Sequence, residues 1–293
     1  MLITPRPGTH RDNILQALRN TRDDVQNLYT SGPRETLPRL LKYLEWANDA
    51  VGRLAGQIAD RDLDKLILTS RHAQILANVA ILASPDAVRF ANGLVNLELR
   101  QRTDDLNEAA QALEAAARRR QQAGRNIVFD TGMFLNHPDK FDQIDYRALT
   151  NIFDEPVNLV VPMVVIDELD NLKQHNKQQV RWRAGYSLAV LDRLFSSGRP
   201  SVAVLRDLDL SEAAAGGLPR SKVTVELLFD QPGHIRLPIA DDEIVDQALT
   251  LQALAGEEVT LFTYDTGQSM RARNAGLTAK KLRLEPEEPQ AKG

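Results

Sequence analysis

Cysteine is absent from the 293-residue chain, which excludes a disulfide framework, a zinc ribbon, a thiol nucleophile and an iron–sulfur centre. The five histidines, His10, His72, His137, His175 and His234, lack metal-ligand spacing. No apolar run reaches the ~18 residues of a membrane-spanning helix, and the opening MLITPRPGTHRDN has no stretch suited to a signal peptide. A Gly-x-x-x-x-Gly-Lys-Ser/Thr loop is missing, and so is a Gly-x-Gly-x-x-Gly after a strand, which leaves P-loop and dinucleotide chemistry without support. Hydrophobic residues at 43% and charged residues at 26% exclude wholesale disorder. The expectation is a soluble cytoplasmic protein with no membrane partner.

Charge is present in quantity and unevenly shared. The net charge of −4 comes from 36 basic and 40 acidic side chains. Residues 1–124 carry 17 Lys and Arg against 15 Asp and Glu, whereas residues 125–293 carry 19 against 25. An acidic half argues against a polyanionic partner, unless its carboxylates hold divalent cations that invert the local field.

Residues 1–124 read as an all-helical N-terminal domain. Ile14, Leu15, Leu18, Val25 and Leu28 keep helical spacing, and further segments cover about 38–58, 62–82 and 86–120. Ser31-Gly32-Pro33 and Ser84-Pro85 punctuate them, and Arg118-Arg119-Arg120 followed by Gly124 supplies a helix end. Beyond Gly124 the texture changes. Short apolar runs at Asn126–Asp130, Asn158–Pro162 and Glu258–Asp265 alternate with helical stretches around 144–153, 163–195 and 242–255. Strands alternating with helices predict an α/β domain over 125–285 with a central, mainly parallel sheet. Residues 201–237, with Val202–Leu205, Lys222–Leu227 and His234–Leu237, read as a β insertion or edge hairpin. The Pro- and Glu-rich tail, 286–293, reads as disordered.

Open α/β sheets bind ligands at the carboxyl ends of their strands. Asp130 closes the first expected strand and Asp265 the last. Glu168 lies early in the helix after the second strand, and Asp241 and Asp242 begin the helix Asp-Asp-Glu-Ile-Val-Asp. Each alone would serve as a helix cap or a turn residue. Together they change the reading. Carboxylates converging on one crevice repel one another and raise their own pKa values, unless hard divalent cations neutralise them. Two such ions can activate a water and stabilise a leaving oxygen, so the expected chemistry is phosphodiester hydrolysis.

Ile127-Val128-Phe129-Asp130-Thr131-Gly132 resembles the opening motif of PIN domains, nucleases built as a three-layer α/β/α sandwich. Val161-Pro162 through Asp167-Glu168-Leu169-Asp170 is similar to the family's second motif. Asp241-Asp242-Glu243-Ile244 is similar to the third, and Thr263-Tyr264-Asp265 to the fourth. The resemblance spans about residues 125–285 and implies a PIN-type endoribonuclease. Asp130, Glu168, Asp241 and Asp265 would be its catalytic residues and hold Mg²⁺ or Mn²⁺, with Thr263 in support. The doubled Asp241-Asp242 leaves the third ligand open between the two, and the step to Ile244 favours Asp241. Gly132 departs from the pattern, since Asn is common there. It also excludes a haloacid-dehalogenase-type phosphatase, which needs aspartate at that position. The same site could cut structured DNA, or the fold could be a non-catalytic scaffold acting through its helices.

Lys173, Lys177 and Arg181, at steps of four, predict a basic helix face that leads RNA toward Glu168. Arg271 and Arg273 form a second basic candidate. Trp182 could stack on a base, but a core-facing anchor is the favoured reading. For the N-terminal helices, with their slight positive balance, the expectation is an interaction module, contacting RNA, a protein partner or a second copy.

Overall fold

The computed structural model describes residues 3–153, 155–196, 201–209, 220–230 and 234–283. The expected disordered tail at 286–293 lies outside these residues. The chain divides into two compact units: one runs to Arg119 and includes Ala253–Gly256, and the other begins at Arg120 and lacks those four residues. Among the described residues, no helix is long and apolar enough to cross a membrane.

The first unit is helical. Its elements are α1 (Arg11–Ser31), α2 (Thr36–Leu54), α3 (Asp60–Leu66), α4 (Ser70–Ala77), α5 (Val79–Leu82), a 3₁₀ turn (Pro85–Ala87) and α6 (Val88–Ala123), whose last residues, from Arg120, belong to the second unit. Capping marks their starts: the Thr69 side chain accepts from the His72 amide at α4, and His10 accepts from Asp12 at α1. Ile14, Leu18 and Val25 of α1 meet Leu40, Tyr43 and Ala47 of α2 in a core that also takes Val95, Leu99 and Leu106 of α6. Glu98 is fully buried in this core and held by its own cations. Arg71 Nη1 lies 2.9 Å from Glu98 Oε2 and Arg102 Nε lies 3.3 Å from Oε1. Thr69 Oγ1 donates to the same carboxylate at 3.1 Å and the Tyr43 hydroxyl at 3.4 Å.

The second unit holds a six-stranded sheet. Its strands are β1 (Arg125–Phe129), β2 (Val157–Pro162), β3 (Val202–Arg206), β4 (Val223–Leu228), β5 (Thr260–Thr263) and β6 (Thr278–Lys281), in the order β3-β4-β2-β1-β5-β6. Every pair is parallel except β3 with β4. The helices are α7 (Thr131–Asn136), α8 (Tyr146–Thr150), α9 (Met163–Leu172), α10 (Gln178–Phe195), α11 (Ala240–Ala255) and α12 (Thr266–Asn274). Phe129 stands at the centre of an aromatic core, stacked on Tyr146 and edge-on to Phe134 and Phe262. A polar row fixes the register of the central strands. Asn126, Asn158 and Thr224 are in-register neighbours, and Asn158 donates to Asn126 while accepting from Thr224. Glu226 extends the row, accepting from Asn158 and pairing with Arg120 at 3.2 Å.

Three sequence expectations are revised. The helix expected over 163–195 is two helices, because the chain leaves helical geometry between Leu172 and Gln178. The Arg181 guanidinium fixes that break by donating to the freed carbonyls of His175 and Asn176. For 201–237 the edge-hairpin alternative agrees with the antiparallel β3–β4 pair at the sheet edge, whereas a separate insertion does not, because β4 joins the parallel sheet through β2; His234–Leu237 forms no strand. β6 is an additional strand, overlooked because only Ala279 of its four residues is buried.

Candidate active site

Two strand ends present the same device. Asp130-Thr131-Gly132 follows β1 and Asp265-Thr266-Gly267 follows β5. Each aspartate caps the helix that starts after it: Asp130 Oδ1 accepts from the Met133 amide and Asp265 Oδ1 from the Gln268 amide, both at 2.8 Å. The glycine two residues on leaves the carboxylate room, since a Cβ at Gly132 would stand 3.2 Å from Asp130 Oδ2 and one at Gly267 3.1 Å from Asp265 Oδ1. Gly132 therefore has a steric role beside the capped carboxylate.

Thr263, at the end of β5, ties the two aspartates together. Its hydroxyl donates to Asp130 Oδ2 at 2.5 Å and accepts from the Asp265 amide at 2.8 Å. On α9, Glu168 Oε2 accepts from the Thr131 hydroxyl at 2.5 Å. Asp241 enters from the first turn of α11, whose lead-in is clamped by the buried Glu243. That carboxylate accepts from the Leu237 amide at 2.9 Å and sits 2.7 Å from His234 Nε2.

Asp130, Glu168, Asp241 and Asp265 line one cleft of about 350 Å³, together with Thr131, Asn136, Tyr264 and Gln268. Asp130 is 4% exposed, and burial pushes its carboxyl up to about 6, with Asp241 and Asp265 adding to the rise and the bonds from Thr263 and Met133 opposing it. Burial, followed by the charge of Asp265, also raises Asp241, and Arg271 partly offsets this. The side-chain nitrogen of Gln268, Nε2, is buried here without a hydrogen-bond partner among the described residues, whereas its backbone amide serves Asp265.

The donor set fits a hard divalent cation: the oxygens are carboxylate and hydroxyl, and among the described residues no cationic side chain pairs with the buried Asp130. The described side chains nevertheless do not close into a compact group of three or more metal-ligating residues. They share the cleft but stand apart, with Asp130, Glu168 and Asp265 each held by separate neutral donors.

The remaining predicted residues are placed as follows. Asp242 turns to Arg271, with 2.7 Å between carboxylate and guanidinium, and does not line the cleft. Lys173 pairs with Asp170 at 2.6 Å, and Lys177 is the exposed N-cap residue of α10. Because the helix breaks between them, Lys173, Lys177 and Arg181 share no continuous helix face. Trp182 is 51% exposed and so is not a core anchor. Sequence reasoning passed over Asn136, Tyr264 and Gln268; each lies within one turn of a strand-end aspartate or on the helix it starts, a signal that would have found them.

A PIN domain family model matches residues 127–283. The chain belongs to the PIN domain family, whose members are generally nucleases that typically bind divalent metals. It is similar to a solved structure, a domain of a functionally unknown protein from Methanocaldococcus jannaschii DSM 2661, at 13% identity and a TM-score of 0.34. That likeness covers 57% of this chain and 96% of the other. No curated protein matches.

Proposed function

We propose that this protein is a Mg²⁺- or Mn²⁺-dependent endoribonuclease that hydrolyses RNA at the cleft between Asp130 and Asp265. The observation that carries the reading is the convergence of Asp130, Glu168, Asp241 and Asp265, drawn from 135 positions of sequence, on one cleft at the carboxyl edge of the sheet. Asp130, Asp241, Asp265 and Glu168 would hold the cation, which supplies Lewis acidity and charge neutralisation at a scissile phosphate. Thr263 orients Asp130, Thr131 orients Glu168, and the Gln268 amide orients Asp265. Asn136 and Tyr264 line the approach beside these acids. The net reaction consumes one water: its oxygen bonds to phosphorus, one phosphorus–oxygen ester bond breaks, and the leaving oxygen takes a proton.

All residues that line the cleft belong to the second unit. For the helical unit we propose a binding role, toward RNA, a protein partner or a second copy.

The test is incubation of end-labelled single-stranded RNA and of branched DNA with the full chain in Mn²⁺, Mg²⁺ and EDTA. Internal cleavage of RNA in either metal, lost in EDTA and in Asp265→Asn, is the expected result. Cleavage in metal-free buffer contradicts the proposal, and preference for branched DNA transfers the site to a structure-specific DNA nuclease.

A further inference from the structure

Trp182 lies off the buried face of α10. The buried stripe of α10 is Ala184, Ser187, Val190 and Leu191, and Trp182 lies ~200° around the helix from Ala184. Half its surface is in solvent, an unfavourable position for the largest apolar ring in the chain. The ring is nevertheless ordered by neighbours. It stacks on Tyr186, one turn further on, with centroids 5.5 Å apart and planes at 25°. Lys140 Nζ lies 5.5 Å from the Trp182 centroid and 4.6 Å from that of Tyr186.

This platform is tied to the cleft edge. Asn136 lines the cleft, and the four residues from there to Lys140 span at most ~14 Å. Arg183 grips the intervening backbone, donating to the carbonyls of His137, Pro138 and Asp139 at 2.8, 2.7 and 3.1 Å. The Tyr186 hydroxyl holds Asp142 at 2.8 Å. Arg183 also stands close enough to Tyr264, a cleft residue, to act on its hydroxyl electrostatically.

Two stacked rings under an ammonium group offer an unpaired base a π-face and its phosphate a cation. A protein-docking surface needs a broader desolvated apolar core. Here the neighbours on α10, Gln178, Gln179 and Arg181, are polar and exposed. We propose that Trp182, backed by Tyr186 and flanked by Lys140, is a base-stacking subsite for single-stranded RNA at the mouth of the cleft. The inference rests on the ribonuclease reading, since it assigns that substrate its entry site.

The test uses the full chain in EDTA with an oligouridylate ten-mer. The chain has two tryptophans, of which Trp46 is buried, so wild type minus Trp182→Phe isolates the emission of Trp182. Binding is expected to quench that emission. Trp182→Ala is expected to weaken binding about ten-fold, with Trp182→Phe retaining most of the affinity. Lys140→Ala is expected to reduce the salt dependence of binding by about one phosphate contact. Unchanged emission on binding, together with full affinity in Trp182→Ala, overturns the proposal. So does loss of self-association, rather than of oligonucleotide binding, in Trp182→Ala. Cleavage in Mn²⁺ separates the two readings. Quenching without cleavage retires the nuclease and keeps the subsite, whereas cleavage with an unchanged KM in Trp182→Ala retires the subsite alone.

Discussion

Glu98 in the helical unit and Asp130 in the α/β unit are both buried carboxylates, and the chain treats them in opposite ways. Glu98 is surrounded by Arg71 and Arg102 and closed off by Tyr43 and Thr69, so its charge is balanced within the fold. Among the described residues, Asp130 accepts from the Thr263 hydroxyl and the Met133 amide, with Asp241 and Asp265 as charged neighbours. A buried charge that brings its own counterions holds a core together. One left with neutral donors and like charges is a candidate functional site, the place where the proposed function puts its cation. The sign of the charge is the same in both regions; the neighbours decide between architecture and chemistry.

Removing the negative charge should break the comparison in opposite directions. The largest effect expected is on activity: Asp130→Asn or Asp265→Asn should lower metal-dependent RNA cleavage by about a thousand-fold or more, measured in single-turnover gels, with the fold intact. Next comes Glu98→Gln. It removes the buried counter-charge of Arg71 and leaves Arg102 with Asp105, and should destabilise the helical unit by about 3 kcal/mol in denaturant unfolding. Equal tolerance of both substitutions would erase the contrast.

The third effect is a pH dependence. The folded pKa of Asp130, about 6, lies above its unfolded value of 3.8, so the native state binds this proton more tightly. Below the unfolded value both states are protonated and no stability is lost. Stability falls as pH rises between those values and stays lower above them, by about 2–3 kcal/mol. In metal-free buffer Asp130→Asn should therefore be more stable than wild type at pH 7 and equal to it below pH ~4, with Mn²⁺ closing the gap by stabilising wild type alone. The smallest effect belongs to Arg271→Ala. Its pair with Asp242 is solvent-exposed, so stability should change by less than about 1 kcal/mol in the same unfolding assay.

Much of this arrangement is legible in the sequence. The runs Ile127–Phe129 and Leu159–Val161 are apolar throughout because both faces of those strands are covered, and each carries its carboxylate at or beyond the strand end. The position of β4 inside the sheet is not legible in its sequence, because Lys222-Val-Thr-Val-Glu-Leu alternates like a half-exposed strand. Its polar members are instead absorbed by the buried row of Asn158, Thr224 and Glu226. The break between α9 and α10 contains neither glycine nor proline, the usual markers of a helix end, and the Arg181 guanidinium just beyond it fixes it. The pairing of Thr131 with Glu168, 37 residues away on another element, is supplied by the fold alone.

Calorimetric titration of Mn²⁺ into the full chain tests the central claim most directly. Saturable binding by wild type that is lost in the double variant Asp130→Asn, Asp265→Asn is the predicted result. Equal heats from both proteins would show that these acids do not form the cation site.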